Sequence, residues 1–350
     1  MNHNKDTKTS NEEIKYFEIN DKDLYIFKKN SYRKIKTLGE GSFGKVVLVK
    51  KINPLDQNNS NYFAIKISRR FERVSKEENL DIPKKEKPKE INFIELRELT
   101  IMKKINHPNV VNLIEYFFSE KDREVWILME YFKTDLRKFL DVNKENKNVL
   151  QETFFRKICY QILQGVNYLH ENNIMHRDLR LENILYDEEK EICKISDFGL
   201  SHRFDYDINA QYTDVGTFPY KPPEVILGLT HYSTAFDIWS LGGIFVEICT
   251  GHKIFGEDNS LGVIKLIYKI FGSFNETIFP GFKNFPFSKM LEDIPQIEGI
   301  GLANYIISNQ RFKFENNDFY DLIEKMLTID PIKRISAKDC LKHPWFSNMN

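Results

Sequence analysis

Long apolar runs are missing from this chain of 350 residues, and no segment approaches the roughly 18 consecutive apolar residues of a membrane span. The stretch from Met1 to about Asn30 is rich in Asn, Lys, Asp and Glu and holds no apolar core of signal-peptide length. Met1-Asn2 lacks the glycine needed for myristoylation, and the C-terminal residues lack a prenylation cysteine. The expectation is an intracellular protein of the cytoplasm, the nucleus or both, with no membrane partner. Net charge is missing too: 51 Lys and Arg balance 51 Asp and Glu, so no global field draws the chain to nucleic acid. Cysteine is scarce. Cys159, Cys193, Cys249 and Cys340 are far apart and form no Cys-x-x-Cys pair, which argues against a zinc site or a disulfide framework and for buried, reduced thiols. There is no internal repeat.

What is there suits a globular protein with a large core. Hydrophobic residues make up 41% and charged residues 29%, and the length permits one large domain or two lobes. From Tyr32 to Lys51 the pattern is strand, glycine-rich turn, strand, with Val46-Val47-Leu48-Val49 as the β-branched run. Asn53 to Asn61 is a polar hairpin loop, and Tyr62 to Ile67 the next strand. Residues 69–90 are charged and poor in large apolar side chains, an insertion unable to bury enough surface to offset its own ordering. Ile91 to Ile105 has Ile94, Ile101, Met102 and Ile105 at helical spacing, and Val125 to Tyr131 is a buried strand. After Asp135 helices dominate: Glu152 to Asn172 carries Phe155, Ile158, Ile162, Val166 and Leu169 on one face, and Phe236 to Thr250, Phe319 to Leu327 and Ser336 to Leu341 follow.

Three short motifs carry chemistry. Gly39-Glu40-Gly41-Ser42-Phe43-Gly44-Lys45-Val46 places glycines where backbone N–H groups must come closer to phosphate oxygens than a Cβ allows. A strand follows these glycines, whereas a dinucleotide-binding fingerprint leads into a helix. His176-Arg177-Asp178-Leu179-Arg180-Leu181-Glu182-Asn183 offers a proton acceptor, and Asp197-Phe198-Gly199 a second carboxylate. Taken singly each is weak, because a His-Arg-Asp can arise in any charged loop and an Asp-Phe-Gly is an ordinary turn.

In this order, and with an Asn at the fifth position after the Asp, they resemble the catalytic and metal-binding loops of eukaryotic protein kinases. The resemblance spans about Tyr32 to Phe346. It implies an α+β bilobal protein kinase fold, with a β-rich N-lobe over about 32–131 that includes one regulatory helix, a mainly helical C-lobe over about 133–346, and a polar extension over 1–31. It implies ATP and Mg2+ as cofactors and Ser/Thr side chains of protein substrates as acceptors. Lys66, after Ala64-Ile65, would hold the α- and β-phosphates and pair with Glu98; alone it would read as a solvated edge charge. Asp178 would accept the substrate hydroxyl proton, and Asn183 and Asp197 would take magnesium. Arg180 would lie beside the transferred phosphate. Thr217, in Gly216-Thr217-Phe218-Pro219-Tyr220, would brace Asp178 and points to Ser/Thr rather than Tyr as acceptor. Gly39, Glu40, Gly41, Ser42, Phe43, Gly44, Val46 and Ala64 would border the nucleotide. Glu130 and Phe132 would offer backbone groups to adenine, Met129 would be the gatekeeper as well as core, and Asp135 would accept a ribose hydroxyl. Met102, His176 and Phe198 would stack as an internal spine. Glu224 would pair with Arg334, and Asp237 would brace the catalytic loop.

Asp135-Leu136-Arg137-Lys138-Phe139-Leu140, Glu224 to Gly228 and Tyr232 to Gly242 are similar to the cyclin-dependent kinases and their CMGC relatives, as is the long segment Phe279 to Asp318. On that resemblance Thr213 occupies the activating position, and Arg97, Arg177 and Arg203 (or His202) form a cationic cluster for its phosphate, with an upstream activating kinase as a partner. Several residues depart from the pattern. Arg180 and Leu181 replace the usual Lys and Pro, and the Arg is also found in some tyrosine kinases. Phe43 replaces an inhibitory Tyr, leaving Ser42 as the modifiable neighbour. Lys221 replaces an Arg that shapes a proline-accepting pocket, which weakens the case for proline-directed specificity. Asn92-Phe93-Ile94-Glu95-Leu96 is not the cyclin-binding signature, yet Leu96 suits an apolar partner pocket, so a cyclin-type activating subunit is a candidate partner and not a certain one. The activation segment lacks the Thr-x-Tyr of mitogen-activated kinases. The competing class is a pseudokinase scaffold, suggested by Arg180, Leu181 and Pro222 and opposed by the intact set Lys66, Glu98, Asp178, Asn183 and Asp197.

Overall fold

The computed structural model describes residues 24–27, 30–41, 44–52, 62–68, 93–119, 124–145, 151–204, 215–314 and 316–349. Ser42, Phe43, Thr213, most of the N-terminal extension and the 69–90 insertion lie outside the described residues. Contacts divide the chain into two compact units, one of residues 1–91 and 113–131, the other of residues 92–112 and 132–350.

The first unit is an antiparallel sheet of strands β1 (Leu24–Phe27), β2 (Asn30–Gly41), β3 (Gly44–Ile52), β4 (Tyr62–Ser68), β5 (Leu113–Ser119) and β6 (Glu124–Glu130), in the order β1-β2-β3-β4-β6-β5. Strand side chains alternate between faces, so the register sorts the residues. The partners Val47, Ile65 and Leu128 share one face, and with Val49, Ile67, Trp126, Tyr25 and Tyr32 they form the core of the unit. The partners Val46, Lys66 and Ile127, and Leu48, Ala64 and Met129, share the opposite face. The sheet begins earlier than the polar composition of residues 1–31 suggests: Tyr25 is buried and meets the Trp126 ring edge-on at 5.1 Å, which recruits β1.

The second unit contains α1 (Phe93–Met102), β7 (Thr134–Asp135), α2 (Leu136–Glu145), α3 (Glu152–Glu171), β8 (Ile174–Met175), β9 (Ile184–Asp187), β10 (Ile192–Ile195), β11 (His202–Arg203) and α4 (Pro223–Ile226). It continues with α5 (Ala235–Thr250), α6 (Ser260–Phe271), α7 (Leu302–Asn309), α8 (Asp318–Met326) and α9 (Ala337–Leu341). Contacts group α1 with this unit, whereas the resemblance counts it with the N-lobe. Phe155, Ile158, Ile162, Val166 and Leu169 of α3 are buried, as the 3.6-residue period predicts. All 16 residues of α5 are buried, including Asp237, Ser240 and Glu247, so this helix runs through the core. The four cysteines are unpaired and buried, and burial pushes the Cys249 thiol up to about 12. No helix among the described residues is long and apolar enough to cross a membrane.

Candidate active site

The segment from His176 to Asn183 links β8 to β9, and its backbone is held from below by α5. Asp237, in the first turn of that helix, accepts hydrogen bonds from the backbone N–H groups of His176 and Arg177, each at 2.8 Å. Its Oδ2 also lies 2.9 Å from His170 Nε2. Burial alone would raise the Asp237 pKa, but His170, His176 and the Arg177 N–H together hold it below the usual carboxylate value. Arg177 sits at φ +66°, a left-handed conformation that a non-glycine residue keeps only when its surroundings enforce it. Its buried guanidinium donates from Nε to Leu200 O at 2.7 Å and from Nη1 to the Tyr232 hydroxyl at 2.8 Å. Burial pushes the Arg177 pKa down, and the nearby Arg97 cation, a second member of the expected cationic cluster, adds to that. Arg203, in β11, is half-buried.

Asp178 is clamped on both oxygens. Thr217 Oγ1 donates to its Oδ1 at 2.7 Å, and Asn183 Nδ2 lies 3.1 Å from Oδ2 and 2.9 Å from the Asp178 carbonyl. Thr217 precedes a short 3-10 turn, Phe218–Tyr220, and follows Gly216, whose φ is +80°. A Cβ at Gly216 would come within 2.8 Å of the Phe236 ring and 3.0 Å of the Arg177 carbonyl, so backbone and space both require glycine there.

The hairpin of β9 and β10 accounts for the next neighbour. Ile184 pairs with Ile195, so Asn183 just before the hairpin faces Ser196 just after it, with Ser196 N donating to Asn183 O at 2.8 Å. Asp197 follows at φ +63°, and Gly199 N approaches its Oδ1 at 3.4 Å. His176 Nε2 lies 2.9 Å from Ser196 O, and its ring meets the buried Phe198 ring at 5.4 Å. Met102, in α1, is buried as well. Among the described residues no group of three His, Cys, Asp or Glu side chains forms a metal cage. Asn183 and Asp197 fit magnesium in another manner, as a few protein oxygens for a hard cation that keeps waters and binds substrate phosphates.

In the first unit, Val46, Ala64, Lys66 and Met129 lie on the sheet face opposite the core. Gly41 pairs with Gly44 at the tip of the β2–β3 hairpin, and Gly44 takes φ +134°. Around Gly39, which pairs with Val46, the space a Cβ would fill is open. Glu40 is in β2 and Glu130 ends β6. In the second unit Glu98 is buried in α1, one turn before Met102, and Phe132 lies 6.0 Å from Lys194 Nζ. Asp135 is buried and caps α2, accepting from Lys138 N at 2.9 Å and from Lys138 Nζ at 2.8 Å.

Arg180 Nε donates to Glu182 Oε2 at 2.9 Å. Glu182 Oε1 accepts from Arg137 Nε at 3.3 Å, and Arg137 Nη2 donates to Glu247 Oε1 at 2.6 Å. The Tyr220 hydroxyl donates to Glu247 Oε2, also at 2.6 Å. Burial, aided by Glu247, pushes the Tyr220 pKa well up. Sequence patterns gave no warning of this network, nor of His170 and Tyr232, because its members are separated by up to 110 residues. Glu182 stood within the motif, and its charge beside Arg180 was the one available signal. Elsewhere Arg334 grips Glu224 with two parallel bonds of 2.8 and 3.0 Å, both side chains fully buried.

Comparisons agree with this geometry. The protein kinase domain family matches residues 32–346. The chain is 34% identical over 319 residues to the probable cyclin-dependent kinase 10 of Dictyostelium discoideum, across 90% of this chain and 79% of that protein. It is 30% identical to cyclin-dependent kinase 1 of Encephalitozoon cuniculi, across 91% of this chain and 97% of the relative. Against cyclin-dependent kinase B2-1 of Oryza sativa the identity is also 30%, with coverages of 91% and 90%. With the family matched over nearly its whole length, the chain belongs to the protein kinases, as a cyclin-dependent-kinase-like serine/threonine kinase of the CMGC group.

Proposed function

We propose that Asp178 is the base of the phosphoryl transfer, taking the proton of a Ser or Thr hydroxyl as that oxygen attacks the γ-phosphate of ATP. The observation that carries this role is the double clamp on its carboxylate by Thr217 and Asn183. A carboxylate already fixed at both oxygens loses little freedom when the acceptor arrives. Lys66 holds the α- and β-phosphates. Asn183 and Asp197 would hold magnesium, which would supply positive charge to offset that of the phosphates. Arg180 faces the transferred group. Val46, Ala64 and Met129 border the base of the nucleotide, and the backbone of Glu130 and Phe132 recognises its edge.

Control and specificity belong to the same proposal. Phosphorylation of Thr213 by an upstream kinase activates the enzyme, the phosphate being received by Arg97, Arg177 and Arg203. The Arg97 cation, which lies near enough to add to the lowering of the Arg177 pKa by burial, supports a shared anion site. The acceptor is followed by proline, received beside Lys221, whose buried ammonium lies 4.5 Å from the centre of the Phe218 ring. A cyclin-type subunit docks on α1 near the half-buried Leu96; the names of the relatives support such a partner.

The test is phosphate incorporation into a peptide library by wild type and by Asp178→Asn, with Thr213 phosphorylated and copurifying partners present. The expected result is transfer to Ser/Thr before Pro by wild type only. No transfer by wild type under those conditions would replace the enzyme with a scaffold, and transfer without a proline preference would remove the specificity alone.

A further inference from the structure

Arg180 is the partly exposed cation of the catalytic loop, Arg177 being buried, and its neighbours show how it is aimed. A guanidinium is a rigid plane with donors along its edges, so one bond at Nε fixes the direction in which both terminal amino groups point. In Arg180 that bond goes to Glu182 Oε2 at 2.9 Å. Among the described residues the two terminal amino groups of Arg180 make no hydrogen bond. A lysine in the same place would meet Glu182 and a ligand at one nitrogen with freely turning donors, whereas the arginine can keep Glu182 at Nε and present a flat pair of donors in a fixed direction.

Glu182 is itself anchored. Its second oxygen accepts from Arg137 Nε at 3.3 Å, and Arg137 is tied to Glu247 at 2.6 Å. Glu247 is buried in α5 and also takes the Tyr220 hydroxyl at 2.6 Å. Exposure of the side chains grades along the chain of contacts, from 3% at Glu247 through 22% at Arg137 to 31% at Glu182 and 34% at Arg180. The anchored end lies in the core, and the more exposed end is Arg180. Tyr220 ends the short turn that starts after Thr217, so the same network touches the segment that clamps Asp178.

We propose that Glu182 is a positioning residue for Arg180, and that the Arg137–Glu247–Tyr220 anchor sets the direction from which Arg180 meets the transferred phosphate. The inference rests on the role given to Arg180 under the proposed function. It also gives Arg rather than Lys after Leu179 a physical reason: the carboxylate two residues on takes the Nε–H, which in a guanidinium is separate from the terminal donors and rigidly coplanar with them.

The experiment is a double-mutant cycle on the full-length, Thr213-phosphorylated protein with its partners, read by steady-state kinetics on a Ser/Thr peptide. Glu182→Gln is expected to lower kcat about threefold to fivefold, the range of a partly exposed ion pair, with the KM for ATP unchanged. Glu182→Asp should recover at least half of the loss. In the Arg180→Ala background Glu182→Gln should cost nothing further. A second readout works without nucleotide: the Nε–Hε resonance of Arg180, assigned by its loss in Arg180→Lys, should move in Glu182→Gln and return toward its wild-type position in Glu182→Asp. An equal loss from Glu182→Gln with and without Arg180, or an Arg180 resonance indifferent to Glu182, overturns the inference. An Arg180→Ala enzyme as fast as wild type overturns the role of Arg180 itself, and the resonance then still reports whether Glu182 holds it.

Discussion

The catalytic loop and the glycine hairpin, one in each compact unit, differ in how they are built. In the loop the polar groups around Asp178 are committed, the terminal amino groups of Arg180 being the exception. Asp178 is held at both oxygens, His176 and Arg177 give their backbone N–H groups to Asp237, and Arg177 and Asp197 keep left-handed backbones. In the hairpin the reverse holds at Gly39, where a Cβ would find open space. Preorganised donors and acceptors lower a barrier because they need not rearrange during reaction. A flap over phosphates gains from the opposite property, since its backbone must approach a ligand that is not always present. The contrast predicts that substitutions in the loop cost stability or kcat, and substitutions in the hairpin cost affinity.

The largest effect is expected at Asp237. Replacing it by Ala leaves two buried N–H donors without an acceptor and removes the partner of His170, at a cost of about 3–5 kcal/mol. That is a large part of the stability of an ordinary domain, and thermal unfolding should show it as a fall of many degrees. A fall of only a degree or two would mean that the loop is not held from below. The sign of the pH dependence follows from the same carboxylate. Its folded pKa lies below the ordinary value, so its stabilising effect is complete above the ordinary carboxylate range and fades as pH falls through the lower folded value. Asp237→Asn should flatten that part of the acid unfolding curve; identical acid limbs in the two proteins would contradict it.

Gly216→Val comes next. The side chain would meet the Phe236 ring and the Arg177 carbonyl at a residue with φ +80°, and the strain and overpacking together should cost about 3 kcal/mol. Denaturant unfolding measures this directly. Since Gly216 leads into Thr217, kcat should fall as well, and an unchanged midpoint would show that the segment shifts without penalty.

How much of this was legible beforehand depended on length and locality. The helices α3 and α5 were visible because 20 and 16 residues carry several turns of pattern. The strands β7 to β11 span two to four residues each, too few for any period, and tertiary pairing alone forms them. The strand β5 and the helices α2, α6 and α7 also escaped notice; α2 presents so few apolar residues that Leu136 and Leu140 alone are buried in it. Asp178, Asn183 and Asp197 were recognisable as a motif, whereas Thr217, 39 residues from Asp178, and Asp237 were legible as braces only through the family resemblance, since no local pattern links them to the loop. Arg137 and Glu247 are 110 residues apart, so the anchor of Arg180 had no local trace at all.

Thr217→Ala separates positioning from folding within the loop. The hydroxyl makes one bond to a half-buried carboxylate, so its loss should cost only about 1 kcal/mol of stability, within the usual range for one hydrogen bond. Its effect on kcat should be larger, about tenfold, if the clamp orients Asp178 toward the acceptor. Single-turnover transfer to peptide measures it, and a kcat change no greater than the stability change implies would make Thr217 a mere packing residue.

Gly39→Ala is the smallest change and the sharpest test of the hairpin. The residue lies in β2 opposite Val46, at a φ open to any residue, and the new methyl meets nothing within 4 Å. Stability should therefore stay within about 0.5 kcal/mol of wild type or rise slightly, because alanine loses less entropy than glycine on entering a strand. If the glycine serves close approach of backbone to phosphate, the KM for ATP should rise several-fold while the unfolding midpoint stands still. A substitution that costs the protein nothing and the nucleotide much is the signature of space reserved for a ligand. If affinity and stability both stay at wild-type values, Gly39 is only a strand residue, and the phosphate contacts must come from the tip where Gly41 meets Gly44.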